Sequence, residues 1–148
     1  MTSTQTQVLL LHGPNLNLLG VREPDVYGTE TIDDHVTTTR AAAERHGLDL
    51  HHLQSNHEGE LVDAIHAARG TKAAIIINAG AFTHYAWAIH DALAAFDGIV
   101  IEVHLSNPGA RESWRHTSVV TPVADGVIAG LGGTGYVLAV EAVARLLP

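Results

Sequence analysis

The chain has 148 residues, a formal net charge of -8 at pH 7 and no cysteine. The length fits a single catalytic domain, residues 1–148, and the missing cysteine excludes disulfides, thiolate nucleophiles and Cys-rich zinc sites, which suits a cytoplasmic setting. An acidic chain whose one lysine is Lys72 argues against a nucleic-acid face, and no apolar run approaches the roughly 20 residues of a membrane span.

Residues 1–6 (MTSTQT) read as a flexible polar N-terminus, and the apolar run behind them is too short for a signal-peptide core. Val8–His12 is continuously apolar up to its histidine and predicts a strand buried on both faces. Residues 13–28, GPNLNLLGVREPDVYG, form a long connection, a length usually reserved for functional loops or disorder. Thr31 with Asp34 predicts a near capping box for a helix running to Arg45 with Gly47 just past its end. Leu48–Gln54 predicts a second strand. Ser55 and Glu58 predict another capping box, opening a helix with Leu61, Val62, Ile65 and Ala68 on one stripe and a stop at Gly70. Ala73–Asn78 predicts a third strand, about His84 to Phe96 a helix, Ile99–His104 a fourth strand, Gly126–Ala129 a short fifth, and Gly133–Leu147 a closing helix with Glu141 and Arg145 as an i,i+4 pair.

Alternating strands and helices, with strands of the doubly buried kind, predict an α/β fold: a doubly wound, five-stranded parallel sheet of flavodoxin-like order 2-1-3-4-5. The segments AWAIHDALAAF and YVLAVEAVARLL are apolar beyond one inner stripe, which predicts burial against further subunits of a homo-oligomer.

In such a sheet, ligands sit beyond the carboxyl ends of the strands where the winding reverses. The segments after strands one, three and four are HGPNLNLLGVREPDVYG, NAGAFTHY and HLSNPGARESWRH, and all three converge there. SNHEGE, after strand two, falls away from that point. Arg22, Arg111 and Arg115 lie in loops of an acidic protein, a combination that suggests a local site for an anion. Taken singly, His104 reads equally well as a hydrogen-bonded core histidine, His84 as a helix cap, Asn15 and Asn78 as loop-satisfying amides, and Tyr27 as a packing residue. Together they suggest proton chemistry beside a carbonyl. A free phenol is about one part in a thousand ionised at pH 7, and a guanidinium such as Arg22 beside Tyr27 would favour the anion. A phenolate base facing an imidazole acid suits elimination of water. Asn15 and Asn78 could polarise an enolate oxygen, while the Leu105 and Ser106 amides with the Ser106 hydroxyl suit a carboxylate. The eleven histidines show no metal-ligand spacing, so no metal or cofactor is expected. A flavodoxin-like binding module is the competing reading, and a hydrolase is a third, although no Gly-x-Ser-x-Gly elbow is present.

The motifs GPNLNLLGVREPDVYG, QSNHEGELVDAIH, IIINAGAFTHYAWAIHDAL, IEVHLSN and GVIAGLGGTGY resemble the type II 3-dehydroquinate dehydratases, in order, from about Val8 to Ala144. The resemblance implies a lyase that converts 3-dehydroquinate to 3-dehydroshikimate by anti elimination through an enolate, without metal or Schiff base, in a dodecamer of four trimers. It implies Tyr27 as the base, Arg22 as its activator, His104 as the acid and Asn15 as holder of a water at the enolate. It implies Asn78, His84 and Arg115 on substrate hydroxyls, Leu105 and Ser106 on the carboxylate, and Asp91 reaching in from a neighbouring subunit. Residues 13–28 would then be a lid. Ala81 stands where some members carry a second glycine, and Arg111 is left as a lid or structural charge.

Overall fold

The computed structural model describes residues 5–148. In chain order the elements are β1 (Thr6–His12), α1 (Pro24–Tyr27), α2 (Ile32–Arg45), β2 (Leu48–Gln54), α3 (Glu58–Ala68), β3 (Ala74–Asn78), α4 (Trp87–Ala94), β4 (Ile99–His104), β5 (Gly126–Ala129) and α5 (Thr134–Leu146). The five strands form one sheet of order β2-β1-β3-β4-β5, with every pairing parallel. That is the expected flavodoxin-like order. Residues 1–4 of the expected flexible terminus lie outside the described residues. Thr6 does not belong to such a terminus, because it already pairs with Leu48.

Two cores sandwich the sheet. On one face Val8, Leu10, Ile76, Ile101 and Val103 pack with α2 and α5. On the other, Leu9, Leu11, Ile75, Ile77 and Val100 pack with α3 and α4. Every residue of β3 is buried, which is why its sequence shows no alternation. β2, at one edge, buries only Leu48 and Leu50, and β5, at the other, alternates half-buried with exposed.

Local signals set most helix ends. Thr31 Oγ1 accepts from the Asp34 N–H while the Asp34 carboxylate accepts from the Thr31 N–H, a complete capping box. Gly47, just past α2, has a left-handed φ of 70°. Two expectations fail. Ser55 and Glu58 do not cap α3; the helix starts two residues later, with His57 at its N-cap, and Ser55 Oγ accepts from the His57 N–H and donates to Glu60 instead. Nor does one helix run from His84 to Phe96. Residues Gly80–His84 form a 3-10 turn and α4 begins at Trp87. The break arises because the Val119 N–H donates to the Thr83 carbonyl, tying this turn to a distant loop.

In the isolated chain the outer faces of both apolar helices remain open: Tyr85 and Trp87 at the start of α4 are 58% and 63% exposed, and Leu138 and Leu146 of α5 are also exposed. Among the described residues, no helix is long and apolar enough to cross a membrane.

Candidate active site

At the carboxyl ends of β1, β3 and β4 a cleft, open on one side, is lined by Asn15, Arg22, Tyr27, Asn78, His84, His104, Leu105, Ser106, Arg111 and Arg115, with Pro14, Leu16, Gly80, Ala81 and Pro108 between them. Every residue singled out in the sequence for chemistry faces this cleft except Asp91. Asp91 is exposed on α4 and does not line the cleft of its own chain.

The long connection after β1 is built rather than loose. Leu16 and Leu19 are buried in the core, the Arg22 N–H donates to the Leu18 carbonyl, and the Tyr27 N–H donates to the Glu23 carbonyl within α1. Among the described residues, the two non-glycine residues with positive φ, Asn15 (68°) and Glu23 (41°), both lie here. Such strain gathers at functional loops held by their surroundings. Gly13 lets the connection pass close to β3: a Cβ there would sit 2.1 Å from the Ala79 carbonyl oxygen. The segment after β2, expected to lie away from the site, in fact supports it. Asn56 Oδ1 accepts from the Asn15 N–H, and Gln54 Nε2 donates to the Gly13 carbonyl.

Tyr27 ends α1 with its hydroxyl in the cleft. Arg111 Nη1 donates to Tyr27 Oη at 2.9 Å and to Ser106 Oγ at 3.1 Å. The guanidinium carbons of Arg111 and Arg22 each lie 5.1 Å from the Tyr27 ring centroid, and Arg22 also pairs with Glu23 at 3.3 Å. Arg22 is the cation expected beside the phenol, yet the direct hydrogen bond comes from Arg111. Nothing local in PGAR marks that contact, which spans 84 positions.

His104 ends β4. Its Nε2–H donates to Glu102 at 2.6 Å, which leaves Nδ1 for the cleft. Glu102 is 1% exposed and also accepts from Ser118 Oγ at 2.9 Å and Thr121 Oγ1 at 2.5 Å. Burial alone would raise this carboxyl's pKa; the hydrogen bonds from His104, Thr121 and Ser118 outweigh it and hold the pKa below the ordinary value. Glu102 was missed in the sequence, although a signal existed. An acid in the apolar run IVIEVH, two residues before a histidine, shares its face of the strand.

Asn78, at the end of β3, is nearly fully buried. Its Oδ1 accepts from the Gly80 N–H at 3.2 Å and its Nδ2 donates to Tyr136 Oη at 3.0 Å. His84 donates from Nδ1 to the Thr117 carbonyl at 2.7 Å. Burial pushes its imidazole down despite that bond, with His104 and Arg115 adding to the effect. Arg115 pairs with Glu112 and stacks over Trp114 at 4.0 Å. The cleft thus gathers three guanidiniums, and no Asp or Glu lines it, so it can hold a small anion between a phenol and an imidazole. Lys72 pairs with Gln7 Oε1 just before β3, at the opposite end of the sheet. Among the described residues, no three His, Asp or Glu side chains cluster as metal ligands.

The chain is similar to known proteins over most of its length. Residues 6–144 match the family model described as dehydroquinase class II. A 3-dehydroquinate dehydratase of Corynebacterium efficiens is 53% identical, over 94% of this chain and 92% of its own. A catabolic 3-dehydroquinase of Aspergillus clavatus is 54% identical, over 93% and 91%. The crystal structure of a type II dehydroquinase from Butyrivibrio crossotus superposes with a TM-score of 0.92 at 40% identity, covering 95% of this chain and 99% of that one.

Proposed function

As a member of the class II dehydroquinases, the family to which this chain belongs, the protein dehydrates 3-dehydroquinate to 3-dehydroshikimate, and we propose that it does so by anti elimination through an enolate. Tyr27, as the phenolate, takes the proton from C2. The electron pair of that C–H bond passes to the C3 carbonyl, and a water held by Asn15 stabilises the resulting enolate oxygen. As the enolate collapses, the C1 hydroxyl takes a proton from His104 Nδ1 and leaves as water, and the C1–C2 double bond forms. Arg111, bonded to the phenol oxygen, and Arg22, over the ring, offset the charge on Tyr27. Glu102 balances the charge that His104 carries while it holds the proton to be given. Leu105 and Ser106 bind the substrate carboxylate, and Asn78, His84 and Arg115 bind its hydroxyls.

The observation that carries this reading is the phenol–guanidinium contact at 2.9 Å facing a carboxylate-held imidazole across one cleft. Its test is Tyr27→Phe, followed by the ultraviolet absorbance of the conjugated enone product. Turnover should fall about a hundred- to ten-thousandfold, the range that general base catalysis is worth, while substrate binding by calorimetry is retained. Near-normal kcat in this variant refutes Tyr27 as base. No metal or Schiff base takes part, so activity is expected to survive chelator and borohydride.

The assembly proposed is a dodecamer of four trimers, in which Asp91 of one subunit enters the cleft of the next. The open apolar surface at Trp87, on the helix that carries Asp91, and at Tyr85 just before that helix supports it. Light scattering that gives a stable monomer would overturn the assembly. The cytoplasm is its proposed compartment, which a cysteine-free chain suits. The same reaction serves aromatic biosynthesis and quinate breakdown.

A further inference from the structure

A chain of hydrogen bonds leads out of the cleft through the core to the edge of the sheet, and the reaction above uses only its first member. From Asn78 Nδ2 it passes to Tyr136 Oη at 3.0 Å. Tyr136 Oη lies 2.7 Å from His12 Nε2, and His12 Nδ1 lies 2.8 Å from His52 Nε2. Tyr136 and His12 are fully buried, and His52, on edge strand β2, is half-buried. Strand register explains the alignment. His12 pairs with Asn78 and Leu10 with His52, so all three polar side chains share the face turned toward α5, and Tyr136 stands in the first turn of that helix.

One end of the chain decides where every proton lies. The Gly80 N–H donates to Asn78 Oδ1, and turning the amide over would set two donors against each other. Nδ2 therefore faces Tyr136, whose oxygen accepts. The Tyr136 proton finds its acceptor at His12 Nε2, which assigns the His12 proton to Nδ1, facing His52 Nε2. In that direction each contact joins a donor to an acceptor and the Tyr136 proton has a partner. Burial, with His52 and His35 nearby, pushes the His12 imidazole well down, and burial pushes the Tyr136 phenol up, so both stay neutral. The Asn78 amide is thus held at both ends, and its second N–H is left for a ligand in the cleft it lines.

We propose that Tyr136, backed by His12 and His52, is a positioning residue that fixes the Asn78 amide so that its free N–H meets a substrate hydroxyl. The inference rests on Asn78 binding substrate, as proposed above. Tyr136→Phe keeps the ring and removes the hydroxyl. The expected result is a KM raised about fivefold with kcat little changed, the pattern of a weakened binding contact. In an Asn78→Ala background the same substitution should alter KM no further, because the residue it positions is gone. His12→Gln, whose carbonyl can accept from Tyr136 and whose amide can donate to His52, should stay near the parent, whereas His12→Leu should behave like Tyr136→Phe. Circular dichroism and thermal melting establish that each variant is folded. If Tyr136→Phe does not fold, His52→Phe at the half-buried edge carries the same test. A merely structural role would lower the melting temperature and leave KM alone. An unchanged KM in the folded Tyr136→Phe variant, or an equal effect with and without Asn78, overturns the positioning role. If Asn78→Ala by itself leaves kcat/KM unchanged, Asn78 does not bind substrate, and the site assignment fails along with the inference.

Discussion

Replacing Glu102 by Gln tests the buried half of the acid machinery. The change keeps the side chain's volume and one acceptor oxygen but removes the charge and puts an amide NH2 where a second acceptor was. Three donors converge on this carboxylate, from His104, Ser118 and Thr121. A hydrogen bond to a charged group is worth about 1.5–3 kcal/mol against about 0.5–1.5 kcal/mol for a neutral one. The His104 contact alone therefore loses roughly 1.4 kcal/mol, or about tenfold in kcat, read from the growth of enone absorbance. Across the three bonds the loss is about 4 kcal/mol. The smaller cost of burying a neutral amide offsets part of it, leaving about 1–2 kcal/mol, a fall in melting temperature of about 2–8 °C at pH 7 for a chain of this size. The pH dependence has a definite sign. The folded-state pKa of Glu102 is depressed, so its contribution is fully present above the unfolded value of about 4.3 and is lost as pH falls through the folded value. The gap in melting temperature between parent and variant should therefore close on acidification below about pH 4. A variant with parental kcat and melting temperature at neutral pH, or a gap that widens in acid, would refute this account.

Substitutions at three further positions address the base, the cap and the close crossing. Arg111→Ala removes the donor to the Tyr27 hydroxyl and should lower kcat about a hundredfold; Arg111→Lys should recover only part, because one ammonium cannot reproduce a fork that reaches both Tyr27 and Ser106. Steady-state kinetics checks both, and parental kcat in the alanine variant would remove Arg111 from the mechanism. Thr31→Ala breaks the capping box of α2 at a cost of about 1 kcal/mol, seen as a melting temperature about 2–4 °C lower with kcat unchanged. Gly13→Ala forces a methyl against the Ala79 carbonyl and should destabilise by at least about 3 kcal/mol; denaturant titration showing less than 1 kcal/mol would mean that the backbone yields there.

Much of the frame is legible because its causes are local or periodic. The unbroken apolar runs of β1 and β3 announce strands covered on both faces, and Thr31-x-x-Asp34 announces the start of α2 from residues within one turn. The same local rule misleads at Ser55, where His57 takes the cap and Ser55 turns to Glu60. It misleads again at His84, where the Thr83 carbonyl accepts from Val119 and the helix starts only at Trp87. Candidate site residues were legible because three strand-following segments dense in polar groups meet at one end of a parallel sheet.

The sequence alone determined the order of the elements, the end of the sheet where chemistry collects and the residue types gathered there, since side-chain periodicity and capping depend on neighbours a few positions away. Which groups touch was decided only by the tertiary structure. Arg111 reaches Tyr27 across 84 positions and His12 reaches Tyr136 across 124. Such pairs form only when sheet register and helix docking bring donors and acceptors to within about 3 Å, a distance no local pattern encodes.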